Sequence, residues 1–321
     1  MLALAAPDLS GNERKYLLEA FDSGYLTHAG VWEERFEKSF SEWIKRPSLA
    51  TSSGTAALHI ALMALGCGPG DEVIVPCLTF GATASVVRAC GARPVLVDVD
   101  DAFCIDWNHV RGKLTRRTKA VIAVHLYGER CAIPKDYPVQ IIEDSCEALG
   151  LVAPSGLAAF SFYGNKIMTT GEGGMLVNAP PQSRSLRDGG FTKDYDMAHA
   201  GLNYRMTNLQ AAIGCAQLER IDDLIQKRLD NAAFYKANLE GQGKWLFVAR
   251  VNSPVQAAAL LAEQKIESRP VFKPLHMTQA FRQDGKFKRS ENHWEHGLCL
   301  PTGPHVTREQ QTKIIEAIRG S

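Results

Sequence analysis

Lys166 is the residue from which the chemistry of this chain can be read. It sits in "FYGNKIMTTGEGGMLV", residues 162–177, between an apolar stretch and a run of Thr, Gly and Glu that neither a helix nor a strand interior favours. An amine held on a turn among small residues can be desolvated, which favours its neutral form and makes it nucleophilic towards carbonyls. "TSSGTAAL", residues 51–58, opens a helical run with Ser, Ser, Gly and Thr, where unpaired N–H groups and the positive end of the helix dipole attract an anion. The same residues suit an ordinary N-cap, and they lack the GxxxxGKS/T spacing of a P-loop. "IIEDSCEALG" ends an apolar run in Glu143, Asp144 and Glu147, acids at the carboxyl end of a strand, where open α/β proteins place ligands. Of the three, Glu143 reads best as a solvated loop start. Ser161 precedes Lys166 in the strand-like "AAFSFYG". An anion cradle, a strand-end carboxylate and a nucleophilic amine are together the parts that hold pyridoxal 5'-phosphate, whose phosphate, ring nitrogen and aldehyde each need one of them.

The elements that must position these residues are short β-branched runs alternating with helical patterns. "DEVIVP", "RPVLVDVD", "KAVIAVHLYG", "VQIIEDS", "AAFSFYG" and "GGMLVN" read as strands, near-continuously apolar as strands buried on both faces must be. The expectation is an α/β fold with a mostly parallel, helix-flanked sheet. Helices are expected over residues 53–66 and 83–91, and a single long one over 206–240, which contains no proline. Residues 1–225 would form a large domain and 226–321 a smaller C-terminal α/β domain, the boundary lying inside that long helix. The links "ERCAIPKDYP" and "CEALGLVAPSGL" are near the minimum length of a parallel crossover, so no helix is expected in either.

Composition narrows the function classes. The chain has 321 residues, 45% hydrophobic and 22% charged, enough to bury a large core. Lys plus Arg number 36 against 35 Asp plus Glu, a net charge of +1 that gives no electrostatic reason to expect nucleic acid or an anionic membrane as partner. No apolar run reaches spanning length and the N-terminus lacks signal-peptide character, so a cytoplasmic protein is expected. The eight cysteines are scattered singly without metal-ligand spacing and read as small hydrophobes; no metal is expected.

The stretches "SSGTAALHIAL", "GDEVIVPCLTFGATASVV", "GARPVLVDVD", "VHLYG", "IIEDSCEALG", "FSFYGNKIMTTGEGGML", "NYRMTNLQAAIGCAQLERID" and "SRPVFKPLH" resemble the DegT/DnrJ/EryC1/StrS family of nucleotide-sugar aminotransferases, from about residue 8 to the C-terminus. Within the family, "GNKIMTTGEGG" and "RPVFKPLH" are nearest to the GDP-perosamine synthase type. The resemblance implies a fold type I pyridoxal-phosphate enzyme in which Lys166 bonds to the cofactor's aldehyde and acts as general base. It implies that Asp144 pairs with the pyridine nitrogen, that Gly54, Thr55 and Ser161 hold the phosphate, that Phe80 in "CLTFGAT" stacks on the ring, and that Glu147 lies beside the 3-hydroxyl. Asn203, in "NYRMTN" after the polar stretch 187–200, would reach the phosphate of the neighbouring subunit in a homodimer with shared active sites.

The implied partners are L-glutamate and a nucleotide-linked 4-keto-6-deoxyhexose. The alternatives are a dTDP- or UDP-linked sugar, a C3 ketone, or a non-catalytic regulator on the same fold. Sugar 3-dehydratases of the family have His in place of the lysine, and Lys166 stands against that branch. The chain departs from typical members by losing length around 129–138, 151–157 and 243–252, the last where a small-domain strand is expected, and by having Lys273 where Tyr is common.

Overall fold

The computed structural model describes residues 1–28, 30–191 and 196–320. Among them, strands β1 (Ser48–Thr51), β2 (Glu72–Pro76), β3 (Arg93–Val97), β4 (Thr118–Val124), β5 (Gln140–Asp144), β6 (Leu157–Ser161) and β7 (Gly174–Val177) form a seven-stranded sheet in the order β1-β7-β6-β5-β4-β2-β3. Neighbours are parallel except for β7, which runs antiparallel to both β1 and β6. The parallel strands therefore deliver their carboxyl ends to one edge. Burial on both faces is visible in β4: Ala120, Ile122 and Val124 enter one apolar cluster, whereas Val121 and Ala123 join another with Ile74, Val95 and Val110.

A second sheet, all antiparallel, is built from β8 (Gly241–Gln242), β9 (Phe247–Arg250), β10 (Arg269–Pro270) and β11 (Gly297–Leu300) in the order β10-β11-β9-β8. The shortening expected around residues 243–252 does not remove the small-domain strand, which is present as β9. Helices Pro254–Glu263 and Arg308–Arg319 pack on this sheet through Leu261, Ile314 and Ile318. The chain's first residues also attach here: Leu2 bridges Ile266, and the Leu4 amide donates to Glu267 Oε2 at 2.9 Å.

Several expectations need correction. The stretch 206–240 is not one helix but two, Asn208–Leu218 and Ile221–Asn238, with the anticipated boundary at 225 falling in the second. Absence of proline is not enough to keep a helix continuous when tertiary bonds pull on its side chains. Glu219 accepts from Asn12 Nδ2 at 2.8 Å and Tyr16 Oη at 2.6 Å, while Arg220 pairs with Asp8 at 3.2 Å, and the backbone leaves helical geometry at Arg220, φ −119° and ψ 11°. The short links 129–138 and 146–157 carry no helix. Strand β1 and the helices Glu13–Asp22 and Val31–Ile44 were not foreseen. Of the polar stretch 187–200, residues 192–195 lie outside the described residues.

Glu143 is not a solvated loop start. It is 2% exposed, and its carboxylate accepts from Ser155 N at 2.7 Å, Ser155 Oγ at 2.8 Å and Gly156 N at 2.7 Å, with His125 Nε2 at 2.9 Å. These bonds tie the loop after β5 back onto the strand. Burial by itself would raise the Glu143 carboxyl, but the hydrogen bonds from His125, Ser155 and Gly156 outweigh it and hold the group below its ordinary value. Its contribution to stability is therefore complete above the unfolded carboxylate range and is lost as pH falls through the folded value. Acid unfolding followed by circular dichroism should show a shallower pH dependence in Glu143→Gln than in the unaltered protein.

A buried arginine holds β1 in place. Arg187 donates to Glu33 Oε1 at 2.7 Å, Glu37 Oε1 at 3.0 Å and the Ala50 carbonyl at 3.0 Å, and pairs with Asp188 at 2.7 Å. Removing one partner of such a cluster leaves buried carboxylates uncompensated. Arg187→Ala should lower unfolding free energy by about 3–5 kcal/mol, measured as a reduced urea midpoint.

Candidate active site

Five parallel strands end around one cavity of 380 Å³. Ser53, Gly54 and Thr55 follow β1, Thr79 and Phe80 follow β2, Val124 closes β4, Asp144 closes β5 and Ser161 closes β6. Convergence at a carboxyl edge follows from the parallel topology, since every loop leaving that edge faces the same space.

The helix Gly54–Ala64 begins at this edge, with Ser53 as N-cap accepting from the Ala56 amide at 3.0 Å. Gly54 has no room for a side chain: a Cβ there would lie 2.7 Å from Cys146 Sγ and 2.8 Å from Ser161 Cβ. Gly174 on β7 is pressed from the other side, its hypothetical Cβ 2.5 Å from the Ser53 carbonyl. The two glycines let the helix N-terminus lie directly on the sheet edge, leaving its free N–H groups aimed at the cavity. Thr55 is exposed beside them, and the Ser161 hydroxyl accepts from Tyr163 N at 3.3 Å. Such a helix start, with hydroxyls on both sides, has the geometry to cradle an anion.

Asp144 is 5% exposed and is oriented from two directions. Thr83 Oγ1 donates to its Oδ2 at 2.9 Å, itself paired with Thr79 Oγ1 at 3.0 Å, and the Cys146 amide donates to Oδ1 at 3.2 Å. Neighbouring Cys146 and Tyr127 are driven by burial to remain protonated, the thiol and the phenol both held well above their ordinary values, so neither offers a base. Phe80, in contrast, is 59% exposed over the cavity, an unusual setting for a large aromatic unless a flat ligand covers it.

Lys166 enters on the turn after β6. Its ammonium lies 3.2 Å from Glu147 Oε1 and 4.0 Å from the centre of the Trp245 ring. Glu147 is fixed by its other oxygen, which accepts from Tyr127 N at 2.9 Å. The sequence thus located Gly54, Thr55, Phe80, Asp144, Glu147, Ser161 and Lys166, and all seven line one cavity. Asn203 does not: it is exposed, bridged to Asp188 through the backbone, and absent from the cavity of its own chain.

Several residues that line the cavity or orient its side chains were missed. Thr83 could have been noticed in "TFGATAS", and Arg269 stands inside the quoted "SRPVFKPLH". Arg269 reaches the cavity from β10 with its guanidinium 4.8 Å from the Phe272 ring centre, and its Nε and Nη2 have no hydrogen-bond partner in the protein. Trp245, just ahead of β9, gave no signal, because nothing local marks a tryptophan that is brought to the site by the second sheet.

The cradle, the oriented carboxylate, the exposed ring and the amine match the phosphate, pyridine nitrogen, ring face and aldehyde of pyridoxal 5'-phosphate in number and in chemical type. Comparison with known proteins agrees. The chain is 38% identical to the GDP-perosamine synthase of Caulobacter vibrioides, covering 99% of this chain and 97% of that protein, and 35% identical to the GDP-perosamine synthase of Vibrio cholerae, covering 99% and 98%. The structure of DesV from S. venezuelae, solved in complex with a ketimine intermediate, superimposes with a TM-score of 0.88 at 31% identity, covering 96% of this chain and 94% of that one. The architecture is that of fold type I pyridoxal-phosphate enzymes, and the model of one family matches residues 7–319. The chain belongs to the DegT/DnrJ/EryC1/StrS aminotransferase family.

Proposed function

We propose that the protein is a pyridoxal-phosphate-dependent aminotransferase that moves the amino group of L-glutamate to the C4 ketone of a GDP-linked 4-keto-6-deoxyhexose. The single observation that carries the reading is Lys166 beside Glu147 in the same cavity as Asp144 and the glycine-walled cradle. The choice of sugar is supported by the GDP-perosamine synthases among its relatives. Such a product would feed deoxyamino-sugar and polysaccharide biosynthesis, O-antigen included, in the cytoplasm. No helix among the described residues is long and apolar enough to cross a membrane. The division into residues 1–225 and 226–321 belongs to the same proposal, supported by the change of sheet across the helix Ile221–Asn238.

When bound, the cofactor supplies an electron sink conjugated to the donor's α-carbon. The chain supplies the rest. Gly54, Thr55 and Ser161 hold the phosphate, and Phe80 covers one ring face. Asp144, aimed by Thr83 and the Cys146 amide, favours a protonated pyridine nitrogen through charge pairing. Lys166 Nζ takes the proton from the donor's α-carbon and later delivers one to sugar C4, as general base and then general acid. Glu147 receives the ammonium each time Lys166 carries a proton. Arg269, stacked on Phe272 with Nε and Nη2 free of hydrogen-bond partners, offers a planar guanidinium to a substrate carboxylate or diphosphate.

The reading is tested by offering the purified protein GDP-, dTDP- and UDP-linked keto-sugars, C3 and C4, with L-glutamate, and identifying products by mass and NMR. Amination of the GDP-linked 4-ketone is expected; turnover only with another nucleotide would move the substrate assignment, and turnover with none would end the aminotransferase reading. Lys166→Ala should retain the cofactor non-covalently and lose at least the 10²- to 10⁴-fold that general acid-base catalysis commonly contributes; near-normal turnover in this variant contradicts the role given to Lys166.

The protein is also proposed to work as a homodimer with Asn203 contributing to the partner's phosphate site. Its exposure and its absence from its own cavity support a role across an interface. Mixing Lys166→Ala with Asn203→Ala chains, each severely impaired alone, should restore roughly a quarter of normal activity after random pairing in a two-fold dimer. No recovery despite demonstrated subunit exchange would place Asn203 in its own chain's site or remove it from function.

A further inference from the structure

Two fully buried residues from outside the family motifs converge on Lys166. Trp245 is 1% exposed, and its indole Nε1 donates to the carbonyl of Asn165, the residue before the lysine, at 3.1 Å. Its backbone amide donates to the Tyr127 carbonyl at 3.0 Å, while Tyr127's own amide is the donor that fixes Glu147. Arg228, 1% exposed on the helix Ile221–Asn238, donates through Nη2 to the Lys166 carbonyl at 3.2 Å and through Nη1 to the Trp245 carbonyl at 3.4 Å, where Thr302 Oγ1 also donates. Burial lowers the Arg228 guanidinium to about 10, so it remains a cation at neutral pH. Its hydrogen bonds go to carbonyls, and its Nε makes none.

A buried arginine that joins two carbonyls needs a reason, because its charge costs solvation that no carboxylate offsets. The carbonyls it joins belong to the two residues whose side chains meet: the Lys166 ammonium and the Trp245 indole face, 4.0 Å apart. Indole attracts a cation most strongly of the aromatic side chains. A lysine tail left loose would sample many rotamers between proton transfers, and misplacement by an ångström is expensive in rate.

We propose that Trp245 and Arg228 are positioning residues for Lys166: the indole face and Glu147 form a resting place for the amine when it is not bonded to the cofactor, and Arg228 locks the lysine's main chain against that indole. The inference deepens the aminotransferase reading and rests on it for its kinetic consequence. The resting place itself belongs to the protein without cofactor and is testable there. Its indole is supplied from the segment just ahead of β9, so the second sheet's packing against the first completes the base's surroundings.

The test is NMR of protein labelled with ε-¹³C-lysine. An ammonium over an indole face places the adjacent ε-methylene in the ring's shielding region, so the cofactor-free protein should show one lysine signal displaced upfield and missing from Lys166→Ala. Trp245→Leu should return that signal to the ordinary lysine position, Trp245→Phe should leave part of the displacement, and Arg228→Met should reduce and broaden it. In the loaded enzyme, Trp245→Leu should lower kcat by about ten- to a hundredfold with KM for the sugar changed little, and Trp245→Phe should recover part of the loss. An undisplaced signal in the unaltered protein overturns the proposal without any variant having to fold. So does a displacement that survives in Trp245→Leu, or a loss of rate accompanied by an unchanged lysine signal. A displaced signal in a protein that aminates no keto-sugar would instead keep the resting place and reject the aminotransferase reading.

Discussion

The geometry around Lys166 depends on the backbone of Tyr127. This residue is held at φ 55°, a left-handed conformation that costs a non-glycine residue about 1–2 kcal/mol. Gly128 follows at φ 82°, where a Cβ would lie 2.6 Å from Leu151 Cδ1 and 3.0 Å from the Trp245 amide. The strained turn lets one residue face both sheets. Its amide is spent on Glu147, its carbonyl accepts from Lys244 and Trp245 at 2.8 and 3.0 Å, and its hydroxyl accepts from the Phe272 amide at 3.2 Å. The acid that receives the ammonium, the indole beneath it and the aromatic wall opposite are therefore all referenced to a single residue.

The charges lining the cavity divide by what fixes them. Asp144 and Glu147 are each held by hydrogen bonds from protein donors, so their positions are set before any ligand arrives. Arg269 is held chiefly by stacking on Phe272 and keeps two donors unused. Groups that act on an invariant cofactor can be pre-oriented completely, whereas a site that must accept an amino acid and a sugar in alternation benefits from a cation that pairs only when a substrate anion is present.

Local signals in the sequence were enough for most of the large sheet and for singling out the helix start at Gly54 and Thr55, the strand-end acids and Lys166, whereas Phe80 was named only through resemblance. Apolar runs ending in Asp144 or Ser161 announce strands whose ends face a ligand, and "SSGT" announces a helix N-terminus. The failures share one physical cause, long-range contact. Strand β1 is only four residues long and exists through pairing with β7. The break at Glu219 and Arg220 is set by residues 8–16, and the burial of Glu143 by a loop folding back from Ser155 and Gly156. Trp245 escaped notice for the same reason. Asn203 was named only through resemblance, and in the structure it is exposed and lies away from its own chain's cavity.

The antiparallel strand β7 has a consequence for how the protein is made. Ser48 on β1 pairs with Val177 on β7, partners more than a hundred positions apart in the chain. Until β7 has left the ribosome, β1 has no neighbouring strand in the sheet, and the helix N-terminus that follows it lacks the side of its seat that Gly174 supplies. Contacts of such sequence separation form late because the intervening chain must first lose its freedom. The helix start at Gly54 and Thr55 is thus among the last parts of this sheet edge to be fully seated, although those two residues are synthesised early. The nascent chain carries that apolar stretch unpaired through most of the sheet's synthesis, the interval in which a chaperone has a segment to hold.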